Sequence, residues 1–213
     1  MRLDFDGAGF ETHEGVRDRA REHGLTLRLE TARPPRATCR YAAVIDTFLA
    51  IVSKREVRAY ADRDLPDDVV RRILEAGRVA GSAANRQPWR FIAIRDRELL
   101  DRVAETVYTA ENLRGAKLAV AIVVSDSPGF DCGRATQNMV LAAWNEGVGS
   151  CPNGMPDPQK AAGVLDLPDG ERPLNILSFG YPAKPRDPES RSPEEWVARA
   201  NRKPFDEVVE FRW

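Results

Sequence analysis

Helical spacing comes first along this chain. Ile45, Phe48, Leu49 and Val52 recur at intervals of three and four behind Asp46, a good N-cap, and predict a helix running on into Ser53-Lys54-Arg55-Glu56-Val57-Arg58. A second helix is expected from Pro66, with Asp67 and Asp68 in its positive first turn, Val69, Val70, Ile73 and Leu74 on its inner face, and an end near Gly81. From Gly81 to Ile94 the rhythm changes. Ser82, Asn85 and Gln87 lead through Pro88 into an alternation of Trp89, Phe91 and Ala93 against Arg90, Ile92 and Ile94, the mark of a loop delivered onto a strand.

A third helix is predicted over Asp96 to Tyr108, and the run from Lys117 to Ser125 reads as a buried strand. Asp131 to Glu146, with Ala135, Met139, Ala142 and Ala143, is expected as a long helix stopped by Gly147. Gly147 to Gly154 then reads as a loop with three glycines, followed by a short helix from Pro158 and a strand from Leu174 to Tyr181. A connector rich in proline and charge, Pro182 to Pro204, precedes an apolar ending, Phe205 to Trp213, whose Val208, Val209, Phe211 and Trp213 call for burial. Residues 1–43 carry many charges, Gly7, Gly9, Gly15, Gly24 and the Pro34-Pro35 pair, and are expected as a loosely structured extension to a folded domain over residues 44–213. The organised sequence starts at about Val44, which would serve as a natural start.

Composition narrows the class. With 42% hydrophobic and 31% charged residues and a net charge of −1, the 213-residue chain is expected to be a cytoplasmic protein with no nucleic-acid or membrane partner. Cys39, Cys132 and Cys151 are too few and too scattered for a zinc ribbon or disulfide framework. Both histidines, His13 and His23, lie in the N-terminal stretch. The body therefore lacks Ser-His-Asp and Cys-His machinery and histidine ligands for a metal, so an enzyme built on it needs a cofactor for the hard chemistry.

Lys54, Arg55 and Arg58 form one cationic cluster, and Arg202 with Lys203 a second. Converging, the two would hold a phosphate dianion; apart, each is a solvated charged face. The glycines of Gly147 to Gly154 can expose backbone N–H groups to an electron-rich ring nitrogen. In order, K-R-E-V-R-A-Y, G-S-A-A-N-R-Q-P-W-R-F, D-x-G-x-A-x-Q-N, G-V-G-S-C-P-N-G, F-G-Y-P and R-K-P-F-D-E-V-V make a set that resembles the nitroreductase family of flavin enzymes from about Asp46 to Trp213.

That resemblance implies an α+β fold with a mostly antiparallel or mixed central sheet between helices, and an intertwined homodimer with FMN at its interface. By similarity, Lys54, Arg55 and Arg58 hold the FMN phosphate with Arg202 and Lys203. Ser82, beside Gly81 and Ala83, reaches the flavin of the other subunit, and Asn85 and Gln87 match the family's amide positions. Pro152, Asn153 and Gly154 line the isoalloxazine, with the Gly154 N–H at N5; no side chain is the catalyst. The implied activity passes hydride from NAD(P)H through the flavin to a nitroaromatic, quinone or similar small oxidant. Dehalogenation, dehydrogenation, flavin fragmentation, or flavin storage without turnover are the alternatives. Two departures stand out: Glu56 occupies a position commonly held by serine, and only about eight residues separate Tyr108 from Lys117, so the helical excursion that covers the site in larger members is missing. The ending from Phe205 is expected to wrap onto the partner subunit.

Overall fold

The computed structural model describes residues 46–125 and 129–212; the expectations for residues 1–43 and for Trp213 lie outside them. Four strands, β1 (Arg90–Ile94), β2 (Leu118–Val124), β3 (Gly149–Asn153) and β4 (Arg172–Gly180), form one sheet in the order β1-β2-β4-β3. Every neighbouring pair is antiparallel. The helices are α1 (Thr47–Ser53), α2 (Asp67–Arg78), α3 (Arg97–Ala104), α4 (Glu111–Arg114), α5 (Gly129–Asn145), α6 (Pro158–Val164), α7 (Pro193–Ala198) and α8 (Phe205–Val208). The fold is α+β with an antiparallel sheet, as the resemblance implied.

Strand β2 shows why the sheet is sandwiched. Its sequence is apolar throughout and every residue is buried, which requires a cover on both faces. Leu118, Val120, Ile122 and Val124 pack with Ile73 of α2 and Met139, Val140 and Ala143 of α5. The intervening Ala119, Ala121 and Val123 pack with Leu100 and Val103 of α3, Leu113 of α4 and Ala161 of α6. Helices α2 and α5 approach closely because Gly77 offers no Cβ; one built there would lie 2.9 Å from the Met139 side chain.

Several boundaries depart from the sequence pattern. Helix α1 begins as expected, the Asp46 carboxylate accepting from the Phe48 and Leu49 N–H groups at 2.9 and 3.2 Å, but it ends at Ser53. Residues 54–58 are not helical: the Val57 N–H donates to the Ser150 carbonyl at 2.9 Å, and Glu56 forms a parallel bridge with Ser150. Val57 is buried with Ala50 and Trp144, burial that one more turn of helix would forfeit. The expected glycine loop after α5 is largely strand β3, paired with β4 from Gly149↔Gly180 to Asn153↔Ile176. Gly149 is required there by Val57, whose side chain would lie 2.6 Å from an added Cβ.

Helix α2 stops at Arg78 rather than near Gly81, and α3 stops at Ala104 rather than Tyr108. Beyond α3, the Thr106 hydroxyl donates to the Val103 carbonyl at 2.7 Å, and the Tyr108 N–H donates to the Gly154 carbonyl at 3.1 Å. The short α4 was not legible in the pattern. Nor was the order within the connector: a turn at Pro188–Ser190 leads into α7, which Ser192 and Glu195 start with a capping box.

Candidate functional site

An extended backbone sends successive side chains to opposite sides, so the switch from helix to extended chain at Lys54 sorts the expected cations. Lys54, Glu56 and Arg58 share one side; Arg55 lies on the other. On the first side, Lys54 pairs with Glu56 at 2.5 Å, and both of these charges, with Arg58, act on the Cys151 thiol. Burial pushes that thiol up, outweighing the lowering by Arg58 and Lys54. Arg58 shares a cavity of 190 Å³ with Tyr108, Asn112 and the run from Cys151 to Gly154. Pro152, Asn153 and Gly154 therefore meet Arg58 in one place.

A buried polar network fixes that place. The Asn153 amide donates to the carbonyls of Cys151 and Ile176, each at 2.9 Å, and to Ser178 Oγ at 3.2 Å; its oxygen accepts from Asn112 at 3.1 Å. Tyr60 Oη donates to the Val57 carbonyl at 2.7 Å and shares a hydrogen bond with Ser178 Oγ at 2.9 Å. Desolvation holds its phenol well above the usual range, so it is a neutral strut between the 54–58 stretch and β4. Tyr108 stands 75% exposed at the mouth, its ring 3.4 Å from where a Cβ on Gly154 would sit. Neither Tyr108 nor Asn112 is marked by a motif; only the fold brings them to β3.

Ser82, Asn85 and Gln87 lie elsewhere on the chain, in the loop before β1. Ser82 Oγ accepts from the Gln87 N–H at 2.9 Å, the Gln87 amide donates to the Asn85 carbonyl at 3.3 Å, and the Ala83 N–H donates to Asp131 of α5 at 2.9 Å. Ala84, Asn85 and Gln87 all have positive φ, 50°, 53° and 50°. Three left-handed non-glycine residues in so short a stretch hold strain of the kind that gathers at ligand loops. Strands β1 and β3 are opposite edges of the sheet, about 14 Å apart by interstrand spacing. The loop and the Arg58 cavity are thus separate within one chain.

The cations do not all converge. Arg55 donates to the Val52 and Lys54 carbonyls at 2.7 and 2.8 Å and lies 5.0 Å from the centre of the Trp196 indole, facing away from Arg58. Arg202 donates to the Ala200 carbonyl, and Lys203 pairs with Glu207 at 2.6 Å; both are exposed. Among the described residues no cluster of histidine, cysteine or carboxylate side chains could hold a metal, and no helix is long and apolar enough to cross a membrane.

Residues 51–125 and 125–181 match the model of the nitroreductase family. A protein of Methanothermobacter thermautotrophicus named "Putative NADH dehydrogenase/NAD(P)H nitroreductase" is 32% identical over 66% of this chain and 79% of its own length. One of the same name from Archaeoglobus fulgidus is 34% identical over 64% and 86%. A crystal structure of "a putative nitroreductase in complex with fmn" from Desulfovibrio desulfuricans superposes with a TM-score of 0.64 at 30% identity, covering 79% of this chain and 99% of that one. The α+β fold, the ordered motifs and a family match running from α1 to the end of β4 agree: this chain belongs to the nitroreductase family.

Proposed function

We propose that the chain is an FMN-dependent NAD(P)H oxidoreductase acting on nitroaromatics, quinones or similar small oxidants, with the flavin held on the Lys54–Glu56–Arg58 side of the extended stretch. The observation that carries this reading is the shared cavity of Arg58 and Pro152–Gly154, residues from distant parts of the chain that meet as a cation beside a glycine-bounded strand end. It is supported by the FMN complex of the Desulfovibrio relative and by the NAD(P)H in the names of the archaeal ones. The residues fit an anionic flavin: two cations line that side, and the one carboxylate, Glu56, is held by Lys54. When bound, FMN accepts hydride from the reduced nicotinamide and delivers it to the oxidant. The chain's own part is position and charge. Arg58, beside Gly154, sits where it would stabilise negative charge on the ring, and Lys54 extends the same side toward the phosphate.

A cavity of 190 Å³ is smaller than the roughly 300–1,000 Å³ of ordinary small-molecule sites, so one chain supplies part of a flavin site. In this reading a homodimer completes it, the Ser82–Gln87 loop coming from the second copy. Phe205, Val208 and Phe211, each more than 60% exposed on the single chain, would be covered by that copy. The test is purification of the full chain with an assay of bound flavin and of NADH and NADPH oxidation against a nitroaromatic and quinone panel. One FMN per chain with oxidant-dependent turnover is expected. Flavin bound without turnover would favour a store, and failure to take up FMN on reconstitution would overturn the reading. Deleting residues 205–213 is expected to reduce dimerisation and FMN retention together; a normal FMN-loaded dimer would remove the tail from the interface.

A further inference from the structure

Behind the flavin side of the 54–58 stretch lies a second cavity, of 610 Å³, into which Arg55, Arg186, Arg191 and Arg199 all face around Trp196. Backbone alternation keeps it apart from Arg58, since Arg55 and Arg58 leave the extended chain on opposite sides. Its walls are built. Arg55 is oriented by two carbonyls, as described, and Arg191 lies 4.8 Å from the centre of the same indole that Arg55 contacts. Trp196 is itself fixed by its Nε1–H, which donates to the Pro188 carbonyl at 2.8 Å, and by the capping box that starts α7.

The charge is one-sided. Four guanidinium groups line the cavity against one carboxylate, Asp187, which accepts from the Glu189 N–H at 2.9 Å as the cap of the Pro188–Ser190 turn. Among the described residues, no carboxylate lies within ion-pair distance of any of the four arginines. Like charges gathered in a concave site repel one another, and a multiply charged anion relieves that repulsion. Guanidinium forks match phosphate oxygens two at a time, and the volume falls in the range of small-molecule sites.

We propose that this cavity is a second anion site, distinct from the flavin side, that binds the phosphate or diphosphate group of a small molecule up to nucleotide size. The proposal stands on the arginines and Trp196 alone and holds whether or not the flavin reading does.

Calorimetric titration of the full chain as purified, at low salt, with inorganic pyrophosphate, ADP and adenosine tests it. Pyrophosphate and ADP are expected to bind and adenosine not to. ADP binding tighter than pyrophosphate would identify a nucleotide as the source of the phosphate; equal binding would identify the free anion. Arg199→Gln should weaken both by at least about tenfold, and the Arg191→Gln/Arg199→Gln pair by more, with flavin content and melting temperature unchanged. Arg199 is exposed, so its single variant keeps the test valid where the double variant fails to fold. Arg58→Ala should leave pyrophosphate binding as it was. Absence of binding by either anion would overturn the proposal, as would loss of that binding in Arg58→Ala with retention in Arg199→Gln.

Discussion

The two sides of residues 54–58 carry the same kind of charge in different surroundings. On one, Lys54 and Arg58 stand over β3, with the carboxylate of Glu56 between them and a small cavity bounded by Gly154. On the other, Arg55 joins three arginines from the connector around an indole, four cations against the one carboxylate of Asp187. The first side is compensated only in part, Glu56 pairing with Lys54 and not with Arg58, and its surroundings are rigid because Asn153, Ser178 and Tyr60 tie the extended stretch to the sheet. The second holds a larger excess of positive charge and borrows its order from a turn and one capped helix. Five residues thus place adjacent cations in unlike electrostatic settings, and the alternation of an extended chain is the cause.

The comparison breaks most completely at Trp144, which the two sides share: it packs on Val57 and also lines the arginine cavity, its Nε1–H donating to Ser53 at 3.0 Å. Trp144→Ala should cost about 3–5 kcal/mol of stability in urea denaturation and weaken ligands on both sides. Loss on one side alone would show that the stretch holds its course without the indole. Asn153 belongs to the first side only. Asn153→Ala leaves Asn112 and two strand carbonyls short of a partner and is expected to cost about 3 kcal/mol, with flavin retention reduced and anion binding behind the stretch preserved.

Within the first side, Lys54 and Arg58 should separate by ligand. Lys54→Ala is expected to weaken FMN by about 1.5–3 kcal/mol and riboflavin hardly at all, whereas Arg58→Ala, removing the cation beside Gly154, should weaken both alike. A loss confined to FMN in Arg58→Ala would move that residue to the phosphate. The smallest effect is expected at Cys151. Burial raises its thiol above the ordinary 9.0, so the neutral form favours folding at every pH below that value, and this contribution is lost as pH rises through the raised one. Alkylation of the native protein should accordingly be slow at pH 8. Arg58→Ala, which removes a charge that lowers the pKa, should slow it further; rapid labelling at pH 8 would show the cations prevailing over desolvation.

Much of the fold is legible residue by residue. Asp46 and Asp96 cap the helices that follow them, β2 is an unbroken apolar run that only a two-sided cover can bury, and Gly147 closes α5 with a φ of 72°. The shared cavity of Arg58 and Pro152–Gly154 was legible only in part: the resemblance put both on one flavin, but Arg58 at its phosphate and Gly154 at its ring. The partner for Arg55 was not: Arg186, Arg191 and Arg199 follow no spacing that a local pattern would single out, and Trp196 reads as one more apolar residue in a charged connector.

What the amino-acid sequence determined by itself is whatever depends on near neighbours: capping, the period of burial, and the places where a helix must stop for want of a side chain. Tertiary structure decided the rest at Lys54. By local preference the run Lys54-Arg55-Glu56-Val57-Arg58 favours a helix, only Val57 suiting an extended chain better. A carbonyl at Ser150 and an indole at Trp144, both roughly ninety residues away, tip it to the extended form by accepting the Val57 N–H and burying the Val57 side chain. That choice sends Arg55 and Arg58 to opposite sides, because alternation is a property of extended backbone and not of any residue in it.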